Sequence, residues 1–170
     1  MLTAPARHGP CRVPGVGHRW LAVTVLGLLL VGCGARGTPE LVVGRAQASV
    51  PVAGASQVVV DIDNVGDGAD RLIAAETSVA LDTELHLTEI RDGRATMATL
   101  EAIEIPAGER LRFRPGGLHL MLVLPDETVV AGGTFTLELS FARSGDVTVP
   151  VEVVDLLDLV DAAFDDDEAG

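Results

Sequence analysis

The chain has no tyrosine and no lysine, and its single tryptophan (Trp20) and both cysteines (Cys11 and Cys33) stand within the first 33 residues. From residue 34 onward there is therefore no thiol to form a disulfide and no thiolate for a metal. An electron-transfer blue-copper site needs a cysteine beside two histidines, and a zinc ribbon needs several cysteines, so both are excluded for that stretch. Basic residues are few as well: 12 arginines face 25 acids, and the net charge is −13. Such a surface lacks the clustered cations that displace counterions from nucleic acid. No G-x-S-x-G elbow is present, and no glycine-rich phosphate cradle stands between a strand and a helix. With both remaining histidines in the pattern described below, the expectation is a protein that is not an enzyme.

The first 32 residues read as an export signal. Arg7, Arg12 and Arg19 form a basic start, and residues 20–31 are an apolar run of about a dozen, too short to span a bilayer comfortably and suited to a signal segment. The run ends in Leu30-Val31-Gly32-Cys33, which resembles the lipobox of bacterial lipoproteins; that implies cleavage before Cys33 and lipid attachment to its thiol. Setting the signal aside leaves nine arginines against 25 acids, about −16. Attachment to a membrane must then come from the lipid. Residues 33–40 are a short tether, which would keep the domain near the membrane on its extracytoplasmic face.

Residues 41–155 are enough for one domain with its own core. Aromatics are scarce there (Phe113, Phe135 and Phe141), so valine, leucine, isoleucine and alanine must fill it. Short apolar runs such as Val58-Val59-Val60-Asp61-Ile62 alternate with turn signals such as Asp92-Gly93, Pro106-Ala107-Gly108, Pro115-Gly116-Gly117 and Gly132-Gly133. This rhythm points to an all-β sandwich with Greek-key links. Residues 156–170 change character: apolar residues recur at helical spacing, then the chain closes in acids. A short helix and a solvated acidic tail are expected.

After the signal, the only histidines and methionines are His86, Met97, His119 and Met121. Imidazole and thioether together suit copper in its reduced state, because thioether sulfur is soft and uncharged. Strand geometry tests the set. If Asp92-Gly93 is a type I′ hairpin turn, Arg91 opposes Arg94 and Met97 opposes Thr88. His86 shares a face with Thr88, so His86 and Met97 become diagonal neighbours, roughly 7–8 Å apart at the backbone. The same alternation puts His119 and Met121 on one face, and Gly116-Gly117 just before them suggests that His119 stands at a sheet end. Whether the two pairs meet in space is not legible from spacing.

The spacing His86-x10-Met97-x21-His119-x-Met121 resembles the motif of the PCu(A)C family of periplasmic copper chaperones. Asn64-Val65-Gly66-Asp67, Glu84-Leu85-His86, Ile105-Pro106-Ala107-Gly108 and Arg114-Pro115-Gly116-Gly117-Leu118-His119-Leu120-Met121 are similar to that family too, over roughly residues 46–153. The resemblance implies a cupredoxin-like β-sandwich, one bound Cu(I) ion held by the four side chains, and delivery toward the Cu(A) centre of cytochrome c oxidase, with another copper carrier as a further partner. Many family members have a methionine directly after the first histidine; here it is Leu87, which alternation turns away from His86. Two other readings stay open: a copper-sequestering tolerance lipoprotein, and a β-sandwich interaction lipoprotein that holds no metal.

Overall fold

The computed structural model describes residues 37–165, with side chains placed through residue 162. The expected signal segment, Cys33 and the acidic end beyond residue 165 lie outside the described residues.

Ten strands and one helix follow in order: β1 (Leu41–Ser49), β2 (Ala55–Asn64), β3 (Asp70–Glu76), β4 (Asp82–Arg91), β5 (Arg94–Leu100), β6 (Ile103–Ile105), β7 (Arg110–Arg112), β8 (Leu118–Val123), β9 (Thr134–Phe141), β10 (Gly145–Val154) and α1 (Leu156–Asp165). Their hydrogen-bonded order is β5-β4-β8-β2-β1-β10-β9-β3-β6, with β7 also paired to β2. Neighbours run antiparallel except β1 and β10, which are parallel. Val58, Ile62, Leu85, Leu120 and Leu122 from one half of this order share a single buried core with Leu72, Ile105, Leu137, Leu139 and Val151 from the other. The sheet thus folds over itself as an all-β sandwich, as the turn-punctuated sequence implies. The core is aliphatic, with Phe113, Phe135 and Phe141 as its aromatic members.

Polar residues pin the loops at one end. Asn64 is buried; its amide donates to the carbonyls of Gly68, Ile105 and Pro106, and its oxygen accepts from the N–H groups of Glu40 and Gly66. Asp70, also buried, accepts from the N–H groups of Arg71, Arg143 and Ser144 and from the Ser144 hydroxyl. Burial works to raise the Asp70 carboxyl, but the Ser144 hydroxyl and the three backbone donors outweigh it and hold the group below its ordinary value. In α1, Asp158 in the first turn suits the positive end of the helix dipole. Leu159 is fully buried while Leu157 faces solvent, so the helix lays one side against the sandwich. Among the described residues, no helix is long and apolar enough to cross a membrane.

Candidate metal centre

The hairpin joining β4 and β5 has the expected register. Asp92 and Gly93 both take positive φ (51° and 74°), the type I′ signature, and Arg91 opposes Arg94 while Thr88 opposes Met97. The other side of β4 pairs with β8, where His86 stands directly opposite His119 and Glu84 opposite Met121. Alternation then places Met97 and Thr99 of β5, Glu84, His86 and Thr88 of β4, and His119 and Met121 of β8 on one face of three adjacent strands. Leu85, Leu120 and Leu122 point the other way into the core, and Leu87 belongs to that face as well. The aliphatic residues between the four positions therefore anchor the strands that carry them.

The two imidazoles are close and edge-on, with ring centres 5.6 Å apart and planes 80° apart. Their nitrogens are sorted by their neighbours. His119 Nδ1 lies 3.0 Å from the Gly117 carbonyl, which can only accept, so Nδ1 carries the hydrogen and Nε2 keeps a bare lone pair. His86 Nε2 lies 2.7 Å from Glu84 Oε2 and 3.2 Å from the Thr99 hydroxyl. A carboxylate also only accepts, so a neutral His86 ring carries its hydrogen on Nε2 and leaves Nδ1 bare. His86 Nδ1 and His119 Nε2 are both buried without a hydrogen-bond partner. Leaving such an atom unsatisfied costs roughly 1–3 kcal/mol, so a pair of them marks space built for something that accepts lone pairs.

Burial divides the four side chains. His119 is fully buried and Met121 is 8% exposed, whereas Met97, on the edge strand β5, is 58% exposed. The His86 side chain is 12% exposed. His119 follows the Gly116–Gly117 turn at the start of β8, the strand end expected, yet it is fully buried, because β8 is flanked by β4 and β2. Burial lowers the His119 pKa from its ordinary value; the hydrogen bond to the Gly117 carbonyl opposes it more weakly, and the neighbouring His86 adds a lesser lowering. Burial thus favours the neutral ring, the form that ligates. Among the described residues, no group of three or more His, Cys, Asp or Glu side chains is placed to hold a metal ion. Any metal on this face would rely on thioethers as well as imidazoles.

Three participants were not singled out from sequence: Glu84, Thr99 and the Gly117 carbonyl. The first two were within reach of the same arithmetic. Glu84 shares a face with His86 by alternation, and Thr99 opposes His86 in the Asp92-Gly93 register.

A family model described as "Putative lipoprotein LpqE-like" matches residues 40–153. The chain belongs to this LpqE-like family. A protein of Leifsonia xyli subsp. xyli (strain CTCB07) described as "Putative lipoprotein Lxx21020" is 31% identical over 114 residues, which cover 66% of this chain and 69% of that one. Among solved structures, this LpqE-like chain is similar to the copper-bound PCuAC domain from PmoF2 (TM-score 0.58, 23% identity, 68% of this chain and 93% of that one). It is also similar to CuI-DR1885 from Deinococcus radiodurans (TM-score 0.59, 24% identity, 74% of this chain and 85% of that one). At these identities the structural likeness is one of fold, and it meets the expectation of a cupredoxin-like sandwich.

Proposed function

We propose that this LpqE-like protein is a Cu(I) carrier of the extracytoplasmic membrane face, tethered through lipid on Cys33, with His86, Met97, His119 and Met121 as ligands to one ion. It is a carrier and not an enzyme, and its acceptor is the Cu(A) centre of cytochrome c oxidase. One observation carries the reading: two facing imidazoles each present a buried, unpartnered lone pair on a sheet face that also bears the only two methionines beyond residue 1. A metal–nitrogen bond of about 2 Å puts an ion about 3 Å from the ring centre. Centres 5.6 Å apart are within the span that two rings sharing one ion would have. The family description as a lipoprotein and the copper-bound structures of similar fold support the same reading.

The ligand chemistry suits a carrier. Two neutral imidazoles and two thioethers hold Cu(I) without a thiolate that oxidising surroundings could convert to a disulfide. An acceptor bearing thiolates binds more tightly, so transfer to it runs downhill. Burial sets the order of exchange: solvent-exposed Met97 gives way first to an incoming ligand, while His86, His119 and Met121 keep the ion until the acceptor holds it.

Titration of Cu(I) against a chromophoric chelator tests the reading, with Met97→Ala and His119→Ala alongside. One equivalent bound by the wild type and weakened binding in both variants are expected; absence of wild-type binding overturns the proposal. Oxidase activity in a strain lacking the protein decides delivery against sequestration: loss restored by excess copper supports delivery, and unchanged activity with reduced copper tolerance contradicts it.

A further inference from the structure

Glu84 is a charged side chain in direct contact with the His86 ring, and it touches the nitrogen that is not free. On a strand, residues two apart share a face without necessarily meeting, yet Glu84 Oε2 comes to 2.7 Å from His86 Nε2, with the Thr99 hydroxyl at 3.2 Å from the same atom. His86 is thus gripped from its own strand and from β5. Its other nitrogen, Nδ1, is buried and unpartnered. The grip on His119 differs in kind, because its Nδ1–H is held by the neutral carbonyl of Gly117.

We propose that Glu84 is a positioning residue for the metal site: by accepting the His86 Nε2–H it fixes the tautomer that presents Nδ1 to Cu(I), and it supplies the negative charge the ligands lack. This rests on the carrier reading above. A histidine ligand whose far nitrogen donates to a carboxylate is held in ring orientation and made a stronger donor. Here the carboxylate does more, since two imidazoles and two thioethers leave the ion's single positive charge uncompensated. The two histidines then bind unalike, His86 through Nδ1 and His119 through Nε2. Thr99 shares the task by closing the second side of the same N–H.

The test uses the full chain with 15N-labelled histidine, as wild type, Glu84→Gln, Glu84→Leu and, as a control, Glu89→Gln, whose carboxylate pairs with Arg91 instead. In the metal-free wild type, His86 should show a protonated Nε2 and a bare Nδ1. Glu84→Leu should mix the two tautomers. Cu(I) affinity should fall tenfold or more in Glu84→Leu, about the cost of losing such a partner, with a smaller loss in Glu84→Gln, whose amide oxygen keeps the bond without the charge. Glu89→Gln should match wild type in both readouts. A His86 that carries its hydrogen on Nδ1 in the wild type overturns the proposal. So do Glu84 variants that bind Cu(I) within twofold of a binding wild type. A wild type that binds no Cu(I) overturns the carrier reading instead, and the metal-free tautomer still decides whether Glu84 sets the ring.

Discussion

Replacing His119 by leucine should separate what the site costs the fold from what it does for the ligand. In the metal-free protein the His119 Nε2 lone pair is buried and unanswered, a debit of roughly 1–3 kcal/mol. The ring recovers part of this through its Nδ1–H bond to the Gly117 carbonyl, a bond contributing about 0.5–1.5 kcal/mol. Leucine removes both. It leaves no new orphan, because the Gly117 carbonyl still accepts from the Thr88 N–H at 2.9 Å. Leucine is also close to histidine in size, so the enclosed position is neither emptied nor much overfilled. The metal-free variant should therefore be as stable as the wild type or up to about 2 kcal/mol more stable. Cu(I) at about 100 times its dissociation constant should add about 2.7 kcal/mol to the wild type by mass action and little to the variant, reversing their order. Thermal unfolding followed by far-ultraviolet circular dichroism, with and without Cu(I), reads this out; intrinsic fluorescence would not serve, as the described residues hold no Trp or Tyr. A metal-free variant less stable than wild type by more than about 2 kcal/mol, the scale of an ordinary core defect, would refute the reasoning. Equal stabilisation of both proteins by copper would refute it as well.

Other outcomes follow from burial and charge. Met97→Leu, at an exposed edge position, should leave metal-free stability within about 0.5 kcal/mol yet weaken Cu(I) binding tenfold or more, about 1.4 kcal/mol; chelator competition and thermal unfolding check the pair. Because the His119 pKa is lowered in the folded state, the unfolded chain takes up the proton first. Its effect is absent above the ordinary value near 6.5, destabilises increasingly as pH falls toward the folded value, and then levels off; His119→Leu should lack that part of the wild-type pH dependence in urea unfolding. Asp70 has the opposite sign. Its lowered pKa gives stability that is present above the ordinary carboxylate value and is lost as pH falls through the folded one. Asp70→Asn should cost about 1–3 kcal/mol at neutral pH and flatten the acid limb.

The parts of this molecule legible in its sequence are those governed by local rules. Asp92-Gly93 demands a type I′ turn, and that turn fixes the register that brings Met97 diagonal to His86. Alternation gives the facing of Leu87 and the shared side of His119 and Met121. The helix after residue 155 follows from its spacing, and the aliphatic core from the shortage of aromatics. What could not be read is non-local. His86 and His119 are cross-strand partners because β4 and β8 pair across 33 positions of sequence, and no local preference encodes which of ten strands become neighbours. The enclosure of His119 follows from the same pairing, since β8 lies inside the sheet and not at its edge. The parallel pairing of β1 with β10 is equally invisible to local pattern. Glu84 and Thr99 were accessible to the alternation rule, but acidic and hydroxyl residues are common enough on strands that only contact distance distinguishes them.

The most direct test is X-ray absorption at the copper edge of the Cu(I)-loaded full chain. The account predicts an edge characteristic of Cu(I), two nitrogen scatterers near 2.0 Å and two sulfur scatterers near 2.3 Å, distances of about the size usual for these donors, with one sulfur lost in Met121→Leu. A first shell of nitrogen and oxygen alone would contradict it.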